Sequence, residues 1–250
     1  MLDQVTVQKL LEMRLSAMAE QFKRQMLDQA FGNLSFEERF GLLIDAEWAR
    51  RKNNRLARLI KKADLHFPQA CIEDIEYHAD RRLDKHLITR LSTCNYIGDR
   101  RNIIILGASG AGKTYISCAF GIAACRNFHS TKYIRLPELL IDLAVARGEG
   151  TYRKTMNQYK KYDLLIIDEW LLVSLAEGEA RDVLEIVEAR HKKTSTIFSS
   201  QFAPAGWHAK IGEVTLADAV LDRIVHDSYT VVIDGKDSMR NRKGIPGAER

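Results

Sequence analysis

Nowhere in its 250 residues does this chain carry 18 consecutive apolar residues, so no segment is long enough to cross a bilayer as a helix. Its opening stretch, MLDQVTVQKLLEMRL, mixes charges with apolar residues and lacks the continuous apolar run of an export signal. A cytoplasmic location and no membrane partner are therefore expected. Cysteine is scarce, with four residues (Cys71, Cys94, Cys118, Cys125) and no C-x-x-C pair. That argues against a disulfide framework and a thiolate metal site, and leaves buried free thiols as the expectation. Proline is scarcer along the early chain, where only Pro68 and the glycines Gly32 and Gly41 interrupt a helical pattern. There is no internal repeat and no low-complexity segment.

What is present is the composition of a globular protein with a real core: 46% hydrophobic, 28% charged, net charge +5. The excess of base permits a polyanionic partner without requiring one. Val7 to Leu27 places Leu10, Leu11, Leu15, Met18, Phe22 and Met26 at helical spacing and predicts one amphipathic helix. Gly32-Asn33-Leu34-Ser35 breaks it, and Ser35-x-x-Glu38 predicts a capping box opening a second helix from Phe36 to about Ala63. Within it, Arg50 to Lys62 holds Arg50, Arg51, Lys52, Arg55, Arg58, Lys61 and Lys62 with no acid. Two readings stay open: a solvated helix face, or a surface that meets a nucleic-acid phosphate backbone without reading sequence.

From Asn102 onward strands alternate with helices, predicting an α/β fold with a central parallel sheet covered on both faces. Expected strands are 102–106, 132–135, 164–167, 195–201 and 229–233; expected helices are 115–126, 137–147, 179–191 and 216–226. The first strand runs into Gly107-Ala108-Ser109-Gly110-Ala111-Gly112-Lys113-Thr114, which fits G-x-x-x-x-G-K-[ST] at every fixed position. Glycines let the backbone curl so that N–H groups face phosphate oxygens. Lys113 is expected on the β- and γ-phosphates and Thr114 on a magnesium ion. The strand Leu164-Leu165-Ile166-Ile167 ends in Asp168-Glu169, and parallel strands end at the ligand crevice. Asp168 is then placed to hold Mg2+ and Glu169 to polarise an attacking water. The guanine-reading N-K-x-D is missing, so ATP is the favoured nucleotide.

Two further residues carry open readings. In hydrolases with an extra central strand, a polar residue at its end senses the γ-phosphate, and Gln201 or Ser200 fits; a strand simply ending in polar residues is the plain alternative. Arg223 lies on a late helix, where it either completes a neighbouring subunit's site or pairs with Asp222 or Asp227.

Together these stretches resemble the AAA+ ATPases of the DnaC/DnaI helicase-loader group and, more closely, the IstB-type helper ATPases of insertion sequences. The resemblance spans essentially the whole chain. It rests on Glu47-Trp48-Ala49-Arg50-Arg51 through Leu56 and Ala63, on GASGAGKT, LLIIDE and STIFSSQ, and most distinctively on Trp207-His208, Ile211-Gly212 and Leu216 to His226. The closing Gly235 to Arg240 matches as well.

The likeness implies a P-loop AAA+ core at 101–250, after a helical linker at 66–100 and a small all-helical N-terminal domain at 1–65. AAA+ proteins usually carry a C-terminal helical lid, and this sequence departs from that pattern: only about fifteen residues follow the last expected strand, so no substantial lid is expected. It further implies non-specific duplex DNA binding, ATP-dependent self-assembly with nucleotide between subunits, and activation of a partner transposase. By the same likeness Arg223 matches a trans-acting arginine and Arg240 a sensor arginine. DNA contacts are implied for the helix ending at Arg147 and for basic linker residues, while Tyr152-Arg153-Lys154 reads equally as a stacking platform or a solvated loop. A replicative helicase loader is the alternative within the fold, and a small-molecule P-loop kinase the alternative outside it.

Overall fold

The computed structural model describes residues 2–235 and 239. The chain divides into two compact units, Met1–Arg58 and Leu59–Arg250.

In the first unit the single helix expected from Val7 to Leu27 is two: α1 (Leu2–Glu12) and α2 (Ser16–Leu27). Arg14 takes a left-handed conformation with φ of 59°, and the Leu15 N–H bonds back to the Leu10 carbonyl at 2.8 Å. This pair closes α1 and turns the chain. The turn brings Val7 and Leu10 onto Ala19, with Leu15, Met18 and Phe22 around them, a contact one straight helix could not make. The capping box expected at α3 (Phe36–Ala63) is present: the Ser35 N–H donates to Glu38 Oε2 at 2.8 Å, and the Glu38 N–H donates to Ser35 Oγ at 3.2 Å. Glu47 is buried and accepts from the Ala17 and Met18 N–H groups at the start of α2 and from Arg50 and Arg51. Burial alone would raise its carboxyl, but those donors outweigh it and hold the group below the usual carboxylate range.

The second unit opens with α4 (Lys85–Ser92) and the short α5 (Asn95–Gly98). The sheet follows: β1 (Asn102–Gly107), β2 (Thr131–Arg135), β3 (Leu164–Asp168), β4 (Ser195–Ser200) and β5 (Ser228–Ile233). The strands are ordered β2-β3-β4-β1-β5 and every described pairing is parallel. Between them run α6 (Lys113–Arg126), α7 (Leu136–Gly148), α8 (Tyr152–Lys161), α9 (Glu177–Arg190), α10 (Pro204–Ile211) and α11 (Val214–Val225).

Strand side chains alternate between two helical layers. Ile104, Ile134, Leu165, Ile167 and Phe198 pack with Leu139, Met156, Val183, Trp207 and Val220 from α7 to α11. On the other face Ile166 meets α6, close to Gly121, where an added Cβ would lie within 2.9 Å of its side chain. A parallel sheet covered on both sides explains the near-continuous Ile and Leu of its strands.

Two stretches given no helix from sequence are helical. The basic-aromatic Tyr152–Lys161 stretch, read as either a stacking platform or a solvated loop, is α8, and α10, left unassigned, carries the fully buried Trp207. In α8 only Met156 and Tyr159 are buried, too sparse a pattern to read as a helix from sequence.

One buried cation organises this layer. Arg190, 2% exposed, donates to Thr196 Oγ1 at 2.9 Å and to the carbonyls of Tyr159 (2.9 Å), Tyr162 (2.8 Å) and Ser195 (2.5 Å). Burial pushes the guanidinium down from its ordinary value, partly offset by Asp163. Arg190→Met should lower the unfolding free energy by about 2–4 kcal/mol, because it leaves several buried acceptors without donors. Arg190→Lys should recover only part, since an ammonium cannot span the same oxygens; denaturant titration with unchanged slope checks both.

The four thiols are free, three of them buried and Cys71 partly exposed. Burial pushes Cys94 and Cys118 up to about 11. Folding therefore retains protons that the unfolded chain releases above about pH 9, so stability should fall as pH climbs from about 9 towards 11. At pH 8 a disulfide reagent should titrate Cys71 quickly and the other three only on unfolding; rapid reaction of a second thiol in folded protein would contradict this burial.

Candidate functional site

The phosphate-loop sequence bridges β1 and α6 as the spacing requires. Gly107 has no room for a side chain: a Cβ there would stand 2.8 Å from the Ile233 carbonyl oxygen of β5. Gly112 caps α6 at φ of 94°, and Gly110 is also left-handed, so the loop's curl depends on both. Lys113 is buried, its ammonium donating to the carbonyls of Gly107 (2.8 Å) and Ala108 (2.9 Å). The Ala111 N–H closes the turn onto Ala108, and Ser109 lies within the same curl.

Asp168 ends β3 at 3% exposure and is a hub. Its Oδ2 accepts from Thr114 Oγ1 at 2.6 Å and from the Tyr133 hydroxyl at 3.0 Å, and its Oδ1 accepts from the Glu169 N–H at 2.9 Å. Burial, with the adjacent Asp168 charge, pushes the Tyr133 phenol far above its ordinary range, so it remains a donor. Thr114 and Asp168 thus put two hard oxygens side by side at the mouth of the loop, a donor set that suits a magnesium ion.

Glu169 follows with φ of 53°, as does Leu171, a conformation that costs an ordinary side chain about 1 kcal/mol. The Trp170 N–H bond to the Ser199 carbonyl (2.8 Å) and the Ser200 Oγ bond to the Trp170 carbonyl (3.0 Å) hold it there. The Glu169 carboxylate is paired with Arg135 at 2.6 Å, and Arg135 sits opposite Asp168 in the β2–β3 register.

β4 lies between β1 and β3, the extra central strand on which the reading of its polar end depended. Ser200 is committed to the fold, accepting from the Trp207 indole N–H (3.1 Å) and the Phe202 N–H (3.1 Å). Gln201, the next residue, is exposed. Arg223 pairs with Glu188 of α9 at 2.6 Å, and with neither Asp222 nor Asp227. It lies just before the start of β5, where the Asn102 N–H meets the Asp227 carbonyl, and so at the opposite end of the strands from the phosphate loop. Arg240 lies outside the described residues.

The basic residues differ in how committed they are. Arg50 and Arg51 pair with Glu47, Lys52 lies 4.6 Å over the Trp48 ring, and Arg58 donates to the Asn54 carbonyl. Arg55, Lys61 and Lys62 are exposed. Arg147 is held by Asp182 at 2.7 Å and stacks on Tyr152, whereas Arg153 and Lys154 stand exposed on α8. The outer side of α7 otherwise shows Glu138, Ile141, Asp142 and Val145, which is acidic and apolar.

Three contributors carry no local sequence signal. Arg81 donates to the Ala111 carbonyl at 2.9 Å and buttresses the loop from a distant segment. Tyr133 and Arg135 act through strand register. A cleft of about 430 Å³ opens beside the loop, lined by His66, Phe67, Ile75, Arg81, Lys113 and Tyr115 among others. Its mix of aromatic and polar groups has the character of a small-molecule pocket.

Comparison with known proteins agrees with this geometry. The family model for IstB-like ATP binding proteins matches residues 8–245. An insertion-sequence ATP-binding protein of Sinorhizobium fredii, y4pL, is 39% identical over 243 residues, 97% of this chain and 99% of that protein. The ATP-binding protein of insertion sequence IS1162 from Pseudomonas fluorescens is 41% identical over 201 residues, covering 80% and 87%. Among solved structures, DnaI aligns with a TM-score of 0.58 at 19% identity, over 66% of this chain and 91% of that one. The DnaC helicase loader aligns with a TM-score of 0.57 at 16% identity, over 66% and 97%. These show the fold, an AAA+ P-loop core. No helix among the described residues is long and apolar enough to cross a membrane. With loop, acid pair and strand order in register, and the match running nearly end to end, this chain belongs to the IstB-like ATP binding proteins of insertion sequences.

Proposed function

We propose that this protein hydrolyses ATP and uses the cycle to assemble on duplex DNA and to activate a partner transposase. The observation that carries the hydrolytic part is the order of groups at the crevice: Lys113, the Thr114–Asp168 pair, then Glu169 one residue beyond. Lys113 leaves its loop carbonyls for the β- and γ-phosphates, and the loop N–H groups take the remaining oxygens. Thr114 and Asp168 would hold Mg2+, which would supply positive charge to offset that of the phosphates. Glu169 orients and polarises the water, for which its ion pair with Arg135 must loosen. A second acid at this point favours water over a metabolite hydroxyl as acceptor, which weighs against a kinase.

Strand polarity supports the assembly part. Arg223 lies across the sheet from its own loop, so it serves a neighbouring subunit's nucleotide, leaving Glu188 to do so. Gln201 is a γ-phosphate sensor at the end of the central strand. DNA contact falls to the exposed bases of α3 and to Arg153 and Lys154 more than to Arg147, which is already neutralised by Asp182. We assign residues 1–65 to partner and DNA contact, 66–100 to the linker and 101–250 to the ATPase core. The insertion-sequence relatives favour a transposase over a replicative helicase as the partner.

Lys113→Ala should abolish ATP binding, whereas Glu169→Gln should bind normally and turn over at least ~100-fold more slowly. Equal loss of binding in both variants would end the division of roles. The measurement is fluorescent-nucleotide anisotropy beside phosphate release, with and without duplex DNA.

Arg223→Ala alone should be inactive, while mixing it with Lys113→Ala should restore some turnover, because sites pairing an intact loop with an intact arginine reappear. A mixture no more active than its components would return Arg223 to a purely local role.

A further inference from the structure

Arg81 closes a single helical turn, Ala79–Arg81, ahead of α4, and is 4% exposed. Its guanidinium donates to two backbone oxygens, the Glu76 carbonyl and, at 2.9 Å, the Ala111 carbonyl of the phosphate loop. Its own carbonyl accepts the Asp234 N–H at 2.9 Å, just past the end of β5. The guanidinium lies against the Ala111–Gly112 peptide itself, since a Cβ on Gly112 would stand 3.1 Å from it. That peptide is where the loop is least determined by its own sequence. A trans peptide is planar, with its C=O and N–H on opposite sides, so half a turn of the unit exchanges the two directions. Most residues resist that turn through φ, but Gly112, at φ of 94°, takes positive and negative values about equally. Gly112 is also the N-cap of α6 and makes no side-chain cap bond. The preceding amide is already spent, because the Ala111 N–H bonds to the Ala108 carbonyl at 3.2 Å.

We propose that Arg81 is a positioning residue for polyphosphate: by holding the Ala111 carbonyl outside the loop, it keeps the Gly112 N–H turned inward to meet a phosphate oxygen. Without it the peptide is free to flip, and the flipped form aims a carbonyl dipole at the phosphates. Arg81 acts through the loop and makes no contact with the nucleotide. The inference rests on the reading that this loop takes the phosphates, and on neither hydrolysis nor assembly on DNA. Two consequences distinguish it from plain packing. A ligand with phosphates depends on Arg81, whereas a bare nucleoside does not. And because the bond joins the loop to residues 76–82, nucleotide in the loop and order in that segment support each other reciprocally.

The test compares the affinities of full-length protein for ATP, ADP and adenosine, the last by ligand-observed NMR. Arg81→Met should weaken ATP and ADP by the same factor, about 10- to 100-fold, the worth of a hydrogen bond to a charged group. Adenosine should change less than about twofold on the same scale. Arg81→Lys keeps the charge but not the fork that spans two oxygens, so it should stay at least about threefold weaker than wild type for ADP. Should Arg81→Met fail to fold, Arg81→Lys carries the same ADP-against-adenosine comparison. ADP should slow amide hydrogen exchange across residues 76–82 in wild type and not in Arg81→Met. The proposal is overturned by unchanged ADP affinity in Arg81→Met, by adenosine weakening in step with ADP, or by Arg81→Lys matching wild type, which would leave charge alone as the cause. A loss confined to ATP would make Arg81 a direct γ-phosphate ligand, and equal protection of 76–82 in both proteins would remove the coupling; either result sinks the positioning role. Lys113→Ala is the control for the underlying reading: ADP binding that survives it means the phosphates lie elsewhere, whereas failure of the Arg81 series with that control intact refutes this inference alone.

Discussion

The chemistry of this chain depends on one constraint: five strands that all run the same way. Because they are parallel, Gly107, Arg135, Asp168 and Ser200 finish at one edge of the sheet, although scores of residues separate them along the chain. The phosphate loop, the candidate magnesium ligands, the candidate base and the candidate sensor are thereby assembled without any local motif containing them all. The same polarity sends Arg223 to the far edge. A single geometric fact thus gathers one set of candidate residues and sets Arg223 apart from them.

Within that edge, Asp168 does the joining. A buried carboxylate must be supplied with donors, and the three it has come from α6, β2 and its own successor. The loop helix is tied through Thr114 to Asp168, whose other oxygen accepts from the Glu169 N–H, so the loop and the candidate catalytic residue share one hydrogen-bond network. Left-handed backbone at Glu169 and Leu171 is tolerated because the neighbouring β4 supplies Ser199 and Ser200 as anchors. The strain sits beside the candidate catalytic residue, as is common where a side chain must be aimed.

Much of this was legible from residues alone, and the pattern of success is physical. GASGAGKT and LLIIDE are local: their spacing encodes backbone curl and strand burial, so the strand, the loop and the acids at the strand's end could be placed together. The capping box at Ser35 and Glu38 was legible for the same reason. The break at Arg14 was not, because nothing in Met13-Arg14-Leu15 signals a stop; the chain turns there to bury Val7 and Leu10. α8 was missed since two buried side chains are too few to show a period. Arg81, Tyr133 and Arg135 were invisible because their parts come from register and from long-range packing, which no window of sequence contains. Arg223 was half legible: its place on a late helix was plain, but its partner is Glu188, brought from α9 by tertiary packing.

Arg190 has a bearing on how the molecule opens as well as on how stable it is. Its guanidinium holds the carbonyls that end α8, the one that follows at Tyr162, and the first residues of β4. None of these segments can loosen alone without stranding a buried charge. The last turn of α8, the entry to β3 and the entry to β4 are therefore tied into one block for local unfolding, and their amide protons should exchange with solvent in concert.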